Sequence, residues 1–339
     1  MEKAKLIVKN FGPLKDIEIE VREMVTFIGA QASGKSTLAK LLSIFEDENF
    51  RNDDKITFED ELKKYTIFSY LKADSRIEYS KGYFHFHYNL PNLSVVNEDK
   101  TFWKSETIKS TYIPTERAFL HLIAENTLGL INNNVQIPKH LLNSGQDYEK
   151  AIQTIKELPL NIIDKNIRYK REGKTSYIYH NETEKVDLLE SASGLQSIIP
   201  ILLLVEYANT LKDKYNFNFV VEEPELNLYP KAQHELIKYL VKNCLLERRN
   251  LILTTHSPFI LASINNLLLA YDKGQSNPKE VNKIIKKESW LDPKNFIAYE
   301  LKNGKAKKIM DDKLGQIKEN MIDGVSDAFS DEFDKLLDV

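Results

Sequence analysis

The sequence contains very little cysteine and no long hydrophobic run, and each absence excludes a class of protein. Of its 339 residues only Cys244 is a cysteine, so an internal disulfide cannot form. We expect a buried thiol in a cytoplasmic protein, because Val241 and Leu245 flank that cysteine. The most apolar stretches, Ile198–Val205 and Leu267–Ala270, are too short to cross a bilayer, so we predict no spanning segment. A chain without such a segment could still dock on a membrane protein, but sequence motifs disfavour that function, and we expect no membrane partner.

An excess of either charge is also lacking. Lys and Arg number 47 and Asp and Glu number 50, which gives a formal net charge of -3. Constitutive nucleic-acid binders are usually basic overall, so the balance does not favour one, although it leaves room for a local basic patch. The middle of the sequence, residues 47–189, has no sustained heptads, which argues against a long coiled-coil arm.

Apolar periodicity divides the chain into regions. Residues 1–46 open with alternating strands and end in a glycine loop and a helix. Residues 47–189 mix hairpins with helices, and residues 190–310 alternate helices with strongly apolar strands. This alternation is typical of an α/β core with a mixed or parallel sheet. We therefore predict that residues 1–46 and 190–310 form one core, that 47–189 are an inserted α+β lobe, and that 311–339 are a helical tail.

Local patterns place several elements in the middle region and the tail. The tail segment Met321–Leu337 predicts an amphipathic helix, with apolar residues at three- and four-residue spacing and acidic residues on the other face. That helix either caps the core, which we favour, or docks a partner or a second subunit. In the middle region we predict hairpin strands and helices over Arg76–Tyr79, Tyr83–Tyr88, Ile167–Lys170, Ser176–Tyr179, Ala118–Ile131 and Asp147–Leu158.

A glycine-rich loop follows the first fully apolar strand. The run Gly29-Ala-Gln-Ala-Ser-Gly34-Lys35-Ser36 fits the pattern G-x-x-x-x-G-K-[ST]. Its glycines allow backbone N–H groups to face phosphate oxygens, and the following helix points its positive end at the same place. Lys35 is expected to reach the β- and γ-phosphates, and the Ser36 hydroxyl to bind Mg²⁺. The loop therefore predicts a nucleotide site with Mg²⁺ as a cofactor.

Two carboxylates end the apolar strand Phe217–Val221. Glu222 can hold Mg²⁺ through water, and Glu223 can orient or deprotonate an attacking water. Because acid pairs also occur at ordinary solvated strand ends, the continuation Pro224-Glu225 gives the pair its specificity.

Two further segments carry groups suited to phosphate. His256 follows the apolar strand Asn250–Leu253 and can donate a hydrogen bond to a γ-phosphate. Ser193 and Gly194 open an apolar helix, where a hydroxyl and backbone N–H groups can bind an anion. A structural histidine and a plain serine N-cap are the alternative interpretations.

The order of these segments resembles the SMC/RecF/OLD branch of ABC-type P-loop ATPases. The opening Val8–Asp16 is similar to the first hairpin of that branch, Glu222–Leu226 to its Walker B and D-loop, and Thr255–Pro258 to its switch histidine. The stretch Phe296–Lys305 also resembles a closing strand and turn of small stand-alone AAA-type ATPases of bacterial antiphage systems. Residues 257–339 contain no Asp-x-Asp triplet, so we expect no Toprim nuclease domain.

The resemblance implies roles for the matching residues within one subunit. Glu222 would assist Mg²⁺, Glu223 would be the catalytic base, and His256 would sense the γ-phosphate. The phosphates and the metal would be bound by Gly29, Ser33, Gly34, Lys35, Ser36 and Thr37.

It also implies contacts between subunits. Ser193 and Gly194 would touch the γ-phosphate of the opposite subunit in an ATP-dependent head-to-tail homodimer or a higher oligomer. Asn227 would lie in the D-loop at the dimer interface. Such a dimer would act as a switch, sensor or scaffold that controls a separately encoded effector nuclease or toxin in antiphage defence.

Some positions depart from the pattern of the branch. Glu222 stands where the first acid is usually Asp, and Gln31-Ala32 stand where the loop usually has Asn-Gly. The run Tyr112-Ile-Pro114-Thr-Glu116-Arg117 resembles a segment of defence-associated ATPases. It predicts Glu116 or Arg117 near the metal or the γ-phosphate, with a solvated ion pair as the alternative.

Other functions compete with the switch. One is a DNA-binding repair or clamp ATPase of the RecF or SMC type. Its candidate contacts are the basic residues around the second hairpin, Lys165, Arg168, Lys170, Arg171 and Lys174, although a solvated hairpin is the commoner explanation. A transporter ATPase is disfavoured by the acid pair followed by Pro-Glu and by the opening hairpin.

Overall fold

Strands and helices alternate along a computed structural model that describes residues 4–53, 55–82, 84–89, 92–97, 108–132, 135–245 and 249–337. The helices are α1 Lys35–Phe45, α2 Glu48–Asn52, α3 Phe58–Lys64, α4 Leu120–Asn132, α5 Lys139–Thr154, α6 Ser193–Thr210, α7 Pro230–Cys244, α8 Pro258–Ser276, α9 Pro278–Ile284 and α10 Met321–Leu337. The strands are β1 Ala4–Phe11, β2 Leu14–Val21, β3 Met24–Gly29, β4 Arg76–Lys81, β5 Phe84–Asn89, β6 Asn92–Asn97, β7 Ile108–Ile113, β8 Glu157–Pro159, β9 Arg168–Glu172, β10 Thr175–Tyr179, β11 Lys185–Asp187, β12 Asn216–Glu222, β13 Asn250–Thr255, β14 Phe296–Lys302, β15 Lys305–Lys308, β16 Met310–Asp311 and β17 Gln316–Ile317.

The chain forms two compact units. The first comprises residues 1–38, 70–99 and 253–339, and the second comprises residues 39–69 and 100–252. The first unit contains a large mixed sheet with the strand order β6-β5-β4-β1-β2-β15-β14-β3. In it β14 runs parallel to β3, and β1 runs antiparallel to β2 and β4. The predicted α/β class is confirmed.

Side-chain burial along the strands of this sheet follows the pattern of the sequence. Along β2, Ile17 and Ile19 are buried while Glu18 between them is exposed, as the alternating sequence predicts. β3 is buried over its whole length, which explains its continuous apolar run. The predicted first hairpin is β4 with β5, and β4 pairs in turn with β1. This piece of the middle region thus extends the sheet of the first unit; Tyr83 lies outside the described residues.

The second unit contains the parallel pair β12 and β7 and a separate antiparallel sheet, β11-β10-β9-β8. The second predicted hairpin is confirmed as β9 with β10. The helix α6 is buried almost continuously from Leu195 to Val205, which makes it the central core helix of this unit. Cys244 is a buried free thiol at the end of α7, as predicted.

Two helix predictions in the second unit need correction. A 3-10 turn occupies Thr115–Phe119 before α4, so the helix starts later than Ala118. The prediction over Asp147–Leu158 is wrong at both ends, because α5 begins at Lys139 and residues 157–159 form β8. The helix ends at Thr154, and the next residue, Ile155, already has extended backbone.

The tail helix α10 has the predicted bounds but not the predicted packing. Its apolar residues Val325, Phe329 and Phe333 are 48%, 67% and 62% exposed. The expectation that this helix caps the core is therefore wrong, because its apolar residues from Val325 onward lie in solvent. No helix in the described ranges is both long enough and apolar enough to span a membrane.

Candidate functional site

The predicted phosphate loop connects β3 to α1 in the first unit. Lys35, the first residue of α1, is only 5% exposed, and its Nζ donates to the carbonyls of Gly29 and Ala30 at 3.0 Å each. Because both acceptors belong to the loop, the ammonium group is held inside the loop that it follows. This is the placement that a phosphate-binding lysine requires.

Glycine is required at Gly34 for two reasons. Its φ of +102° lies in a region that other residues avoid. A Cβ at this position would also lie 2.4 Å from Leu14 Cδ2 and 3.3 Å from Pro13 Cγ. The turn between β1 and β2 therefore packs directly against the phosphate loop and supports it.

Most of the other residues in and directly after the loop are exposed to solvent. Ala32, where the sequence pattern of such loops usually has glycine, has a left-handed φ of +58°. Gln31, Ala32 and Ser36 are exposed, while Thr37 is buried in the first turn of α1. The six predicted phosphate and metal residues thus lie on one loop and one helix turn.

His256 occupies the turn between β13 and α8, also in the first unit. Ser257 caps α8, because its Oγ accepts from the Phe259 N–H at 3.2 Å, and its own N–H donates to Thr255 Oγ1 at 3.0 Å. These bonds fix the backbone on one side of His256, whose side chain is half-buried. The histidine is therefore held at a strand end with part of its surface available.

The predicted acid pair ends β12 in the second unit. Glu222 is only 4% exposed, whereas Glu223 is half-buried and has a left-handed φ of +42°. The chain then turns twice, with the Leu226 N–H donating to Glu223 O at 3.0 Å and the Leu228 N–H to Glu225 O at 2.9 Å. Adjacent acids therefore differ in backbone conformation and in solvent access.

Arg117 is fully buried behind the acid pair. Its Nη1 donates to Glu222 O and its Nη2 to Glu223 O, both at 2.8 Å, and its Nε donates to Ser197 O at 2.9 Å. The alternative interpretation of a solvated ion pair is therefore wrong for this residue. Burial lowers the pKa of Arg117 to about 10, opposed by the charges of Glu225 and the acid pair, so the guanidinium is charged at neutral pH. Its neighbour Glu116 is exposed.

Ser193 and Gly194 lie at the start of α6. Ser193 is the first helical residue and is exposed; the N-cap is Ala192, which makes no side-chain capping bond. The interpretation of Ser193 as a plain N-cap is therefore wrong. A Cβ on Gly194 would lie 2.8 Å from Asn227 O, so the start of α6 packs closely on the segment that follows the acids. Asn227 itself is exposed with a φ of +61°.

Two residues near Glu222 were not predicted. Burial raises the pKa of Tyr112 well above its usual range, and the neighbouring Glu222 raises it further. Burial lowers the pKa of the Lys40 ammonium, and the charges of Glu222 and Glu116 oppose that shift. A phenol and a second lysine thus accompany the buried acid. In the sequence only their positions could have indicated them. Tyr112 lies on the strand before the Thr-Glu-Arg run, and Lys40 lies on the helix after the glycine loop.

The residues present suit a magnesium nucleotide. Among the described residues no group of three or more His, Cys, Asp or Glu side chains is placed to hold a metal. Mg²⁺ needs no such cage, because it keeps several waters and is commonly bound by one or two oxygen ligands together with phosphates. In the first unit the exposed Ser36 hydroxyl is a donor of this type, and in the second unit the Glu222 carboxylate is another. Because Leu14 lies so close, position 34 must be glycine and the loop carries no side chain there. A backbone without a side chain can approach a phosphate closely.

Comparison with known proteins gives one family and several distant folds. The profile of a family described as the AAA ATPase domain matches residues 1–115 and 81–261. A search of curated proteins found no significant match.

Similar solved structures include an SMC head domain from Thermotoga maritima, with 12% identity, 91% of this chain and 98% of that chain covered, and a TM-score of 0.41. An Smc head bound to the C-winged helix domain of ScpA has 9% identity, 91% and 97% coverage and a TM-score of 0.44. An ATP-binding cassette of an ABC transporter in its ADP conformation has 14% identity, 93% coverage of both chains and a TM-score of 0.39.

Proposed function

We propose that two copies of this chain, which belongs to the AAA ATPase domain family, form a nucleotide-dependent switch. As an ABC-type P-loop ATPase it hydrolyses ATP. The proposal adds that two copies bind head to tail when ATP is present. Ser193 and Gly194 of one copy would then contact the γ-phosphate held by the other.

The exposed start of α6 carries this proposal. The Ser193 hydroxyl is exposed and does not cap its own helix, so it is available to an anion from outside the chain. The first-turn N–H groups of a helix attract anions. Gly194 lies against Asn227, so the serine and the turn after the acids belong to one surface of the second unit. A partner that binds this surface would touch the turn that follows the catalytic base.

The roles proposed for the side chains follow phosphoryl-transfer chemistry. Lys35 would neutralise the β- and γ-phosphates. Ser36 and Glu222 would hold Mg²⁺, which when bound supplies positive charge to the phosphate oxygens. Glu223 accepts a proton from the attacking water as the oxygen bonds to the γ-phosphorus and the bond to the bridging oxygen of ADP breaks. His256 donates to the γ-phosphate, so that its presence is sensed.

The partner of the switch is proposed from resemblance. We propose a separately encoded effector nuclease or toxin, controlled in the cytoplasm as part of antiphage defence. The DNA-binding alternative has less support, because the basic hairpin is largely paired within the chain. Arg171 is bonded to Glu125 at 2.6 Å, and Lys170 lies 3.3 Å from Glu172.

Two variants test the proposed function. Glu223→Gln should bind ATP normally but release phosphate about 10²-fold more slowly, because the base is lost while the phosphate contacts stay. Sedimentation should show this variant as an ATP-dependent dimer. Ser193→Arg should bind ATP yet stay monomeric and lose turnover, because a long cation blocks the α6 start.

The matched control is Ser69→Arg, which places the same side chain at an exposed serine of the same unit. It should dimerise and hydrolyse ATP like the parent protein. If Ser193→Arg hydrolyses ATP at the parent rate, the head-to-tail switch is wrong.

A further inference from the structure

Arg117 joins three segments of the second unit through one buried guanidinium. Its nitrogens donate to Pro114 O at 3.3 Å at the end of β7, to Ser197 O on α6, and to both carbonyls of the acid pair. Arginine suits this position, because its planar group offers five donors in a fixed fork and stays charged. A lysine could satisfy only part of this arrangement.

The contact with Glu223 bears on catalysis. Glu223 has a left-handed φ of +42°, which is unfavourable for any residue with a Cβ, and such conformations persist only where the surroundings impose them. The Arg117 bond at 2.8 Å and the Leu226 bond at 3.0 Å both end on the Glu223 carbonyl. Because the backbone angles decide where the side chain points, these bonds help to aim the Glu223 carboxylate.

The contact with Ser197 links the acids to the α6 start. Ser197 lies one helical turn after Ser193, so a movement of the α6 start displaces an acceptor of Arg117. The same guanidinium then shifts its bonds to Glu222 and Glu223. A contact made at Ser193 can therefore change the backbone of the base through a single side chain.

We propose that Arg117 is a positioning residue that holds Glu223 in its left-handed backbone and couples the α6 start to it. The inference rests on the proposed role of Glu223 as the base. It assigns Arg117 no contact with ATP or metal.

Arg117→Met and Arg117→Lys test the proposal in the full chain. Both should bind ATP with an affinity within about threefold of the parent, because Lys35 and its loop are unchanged. The Met variant should lose about 10²-fold in kcat, the cost expected for a misplaced catalytic group. The Lys variant should recover part of that loss.

The matched control is Arg249→Met. Arg249 is a buried arginine of the same unit, and its Nη1 donates to Asn209 Oδ1 at 2.7 Å and to Asn243 O at 3.0 Å. This variant should melt earlier than the parent but retain its kcat. It therefore measures what the loss of a buried arginine does to turnover through stability alone.

A double variant separates positioning from general damage. If Arg117 acts through Glu223, adding Arg117→Met to Glu223→Gln should not reduce the residual rate further, whereas independent effects would multiply. Multiplying losses, or parent-like kcat in Arg117→Met, would overturn the proposal. If the Met variant does not fold, the Lys variant takes its place in the same cycle. Parent-like turnover of Glu223→Gln alone would instead overturn the proposed base.

Discussion

Leu14 occupies the space that a side chain on Gly34 would need. A Cβ built on Gly34 would lie 2.4 Å from Leu14 Cδ2, far inside van der Waals contact. The turn that opens the chain and the loop proposed to bind phosphate are therefore packed as one piece. A change in either should be felt by the other.

Replacing Gly34 by alanine should disable this loop. The added Cβ meets Leu14, and a φ of +102° is strained for alanine in any surroundings. We expect Gly34→Ala to lower the free energy of unfolding by about 1–3 kcal/mol and to abolish ATP binding. Thermal melting and calorimetry measure the two effects.

The double variant Leu14→Ala/Gly34→Ala is the informative companion. It restores the space but not the backbone freedom, so ATP binding should stay lost. Full recovery of binding would show that only the contact with Leu14 matters.

Ala32 should tolerate glycine better than any branched residue. Its φ of +58° costs an L-residue about 1–2 kcal/mol, while glycine adds about 0.5–1 kcal/mol of chain entropy. Ala32→Gly should therefore raise the free energy of unfolding by up to about 1 kcal/mol, and Ala32→Val should lower it. Denaturant unfolding decides between them, and equal midpoints for both variants would contradict the left-handed assignment.

The basic residues of the second hairpin should differ in their effects when they are mutated, with Arg171 in one group and Arg168 and Lys170 in the other. Arg171 is bonded to Glu125 at 2.6 Å and to Ser176 Oγ at 2.9 Å, so Arg171→Gln should lower stability without changing any DNA affinity. Arg168 and Lys170 are half-buried and lie near Glu157 and Glu172. Hydrogen bonds from Lys185 and Tyr179 hold the pKa of Glu172 at about 2, so this carboxylate stays charged at neutral pH.

Salt titration of DNA binding tests the hairpin directly. If it contacts phosphates, Arg168→Gln/Lys170→Gln should flatten the dependence of affinity on salt by about one counterion per lost contact. Lys305→Gln/Lys307→Gln, on β15 of the first unit, is the matched control. An unchanged slope in the hairpin variant would return these residues to a structural role.

Removal of the tail helix should leave the rest of the chain folded. Ile317 is buried and its N–H donates to Asn265 Oδ1 at 2.7 Å, so truncation should follow Asn320 rather than an earlier residue. Phe329 and Phe333 are largely exposed, so little apolar burial is lost. We expect the truncated chain to melt within a few degrees of the parent and to bind ATP normally. Sedimentation then shows whether assembly needs the helix, and loss of soluble protein would restore the capping interpretation.

The sequence by itself determined the features that depend on neighbouring residues. Local sequence patterns predicted four features: the glycine loop, the alternation along β2, both hairpins and the bounds of α10. In the strands and the helix, the pattern is apolar residues that recur every two or every three to four positions. No local sequence pattern predicts side-chain contacts between residues that are far apart in the chain. Arg117 and Glu222 are 105 residues apart in sequence, and nothing near Arg117 indicates that its guanidinium reaches the carbonyls of the acid pair. Only tertiary structure decided that this arginine is buried, that Arg171 is tied to Glu125, and that the apolar residues of α10 from Val325 onward are left in solvent, because burial depends on which elements meet.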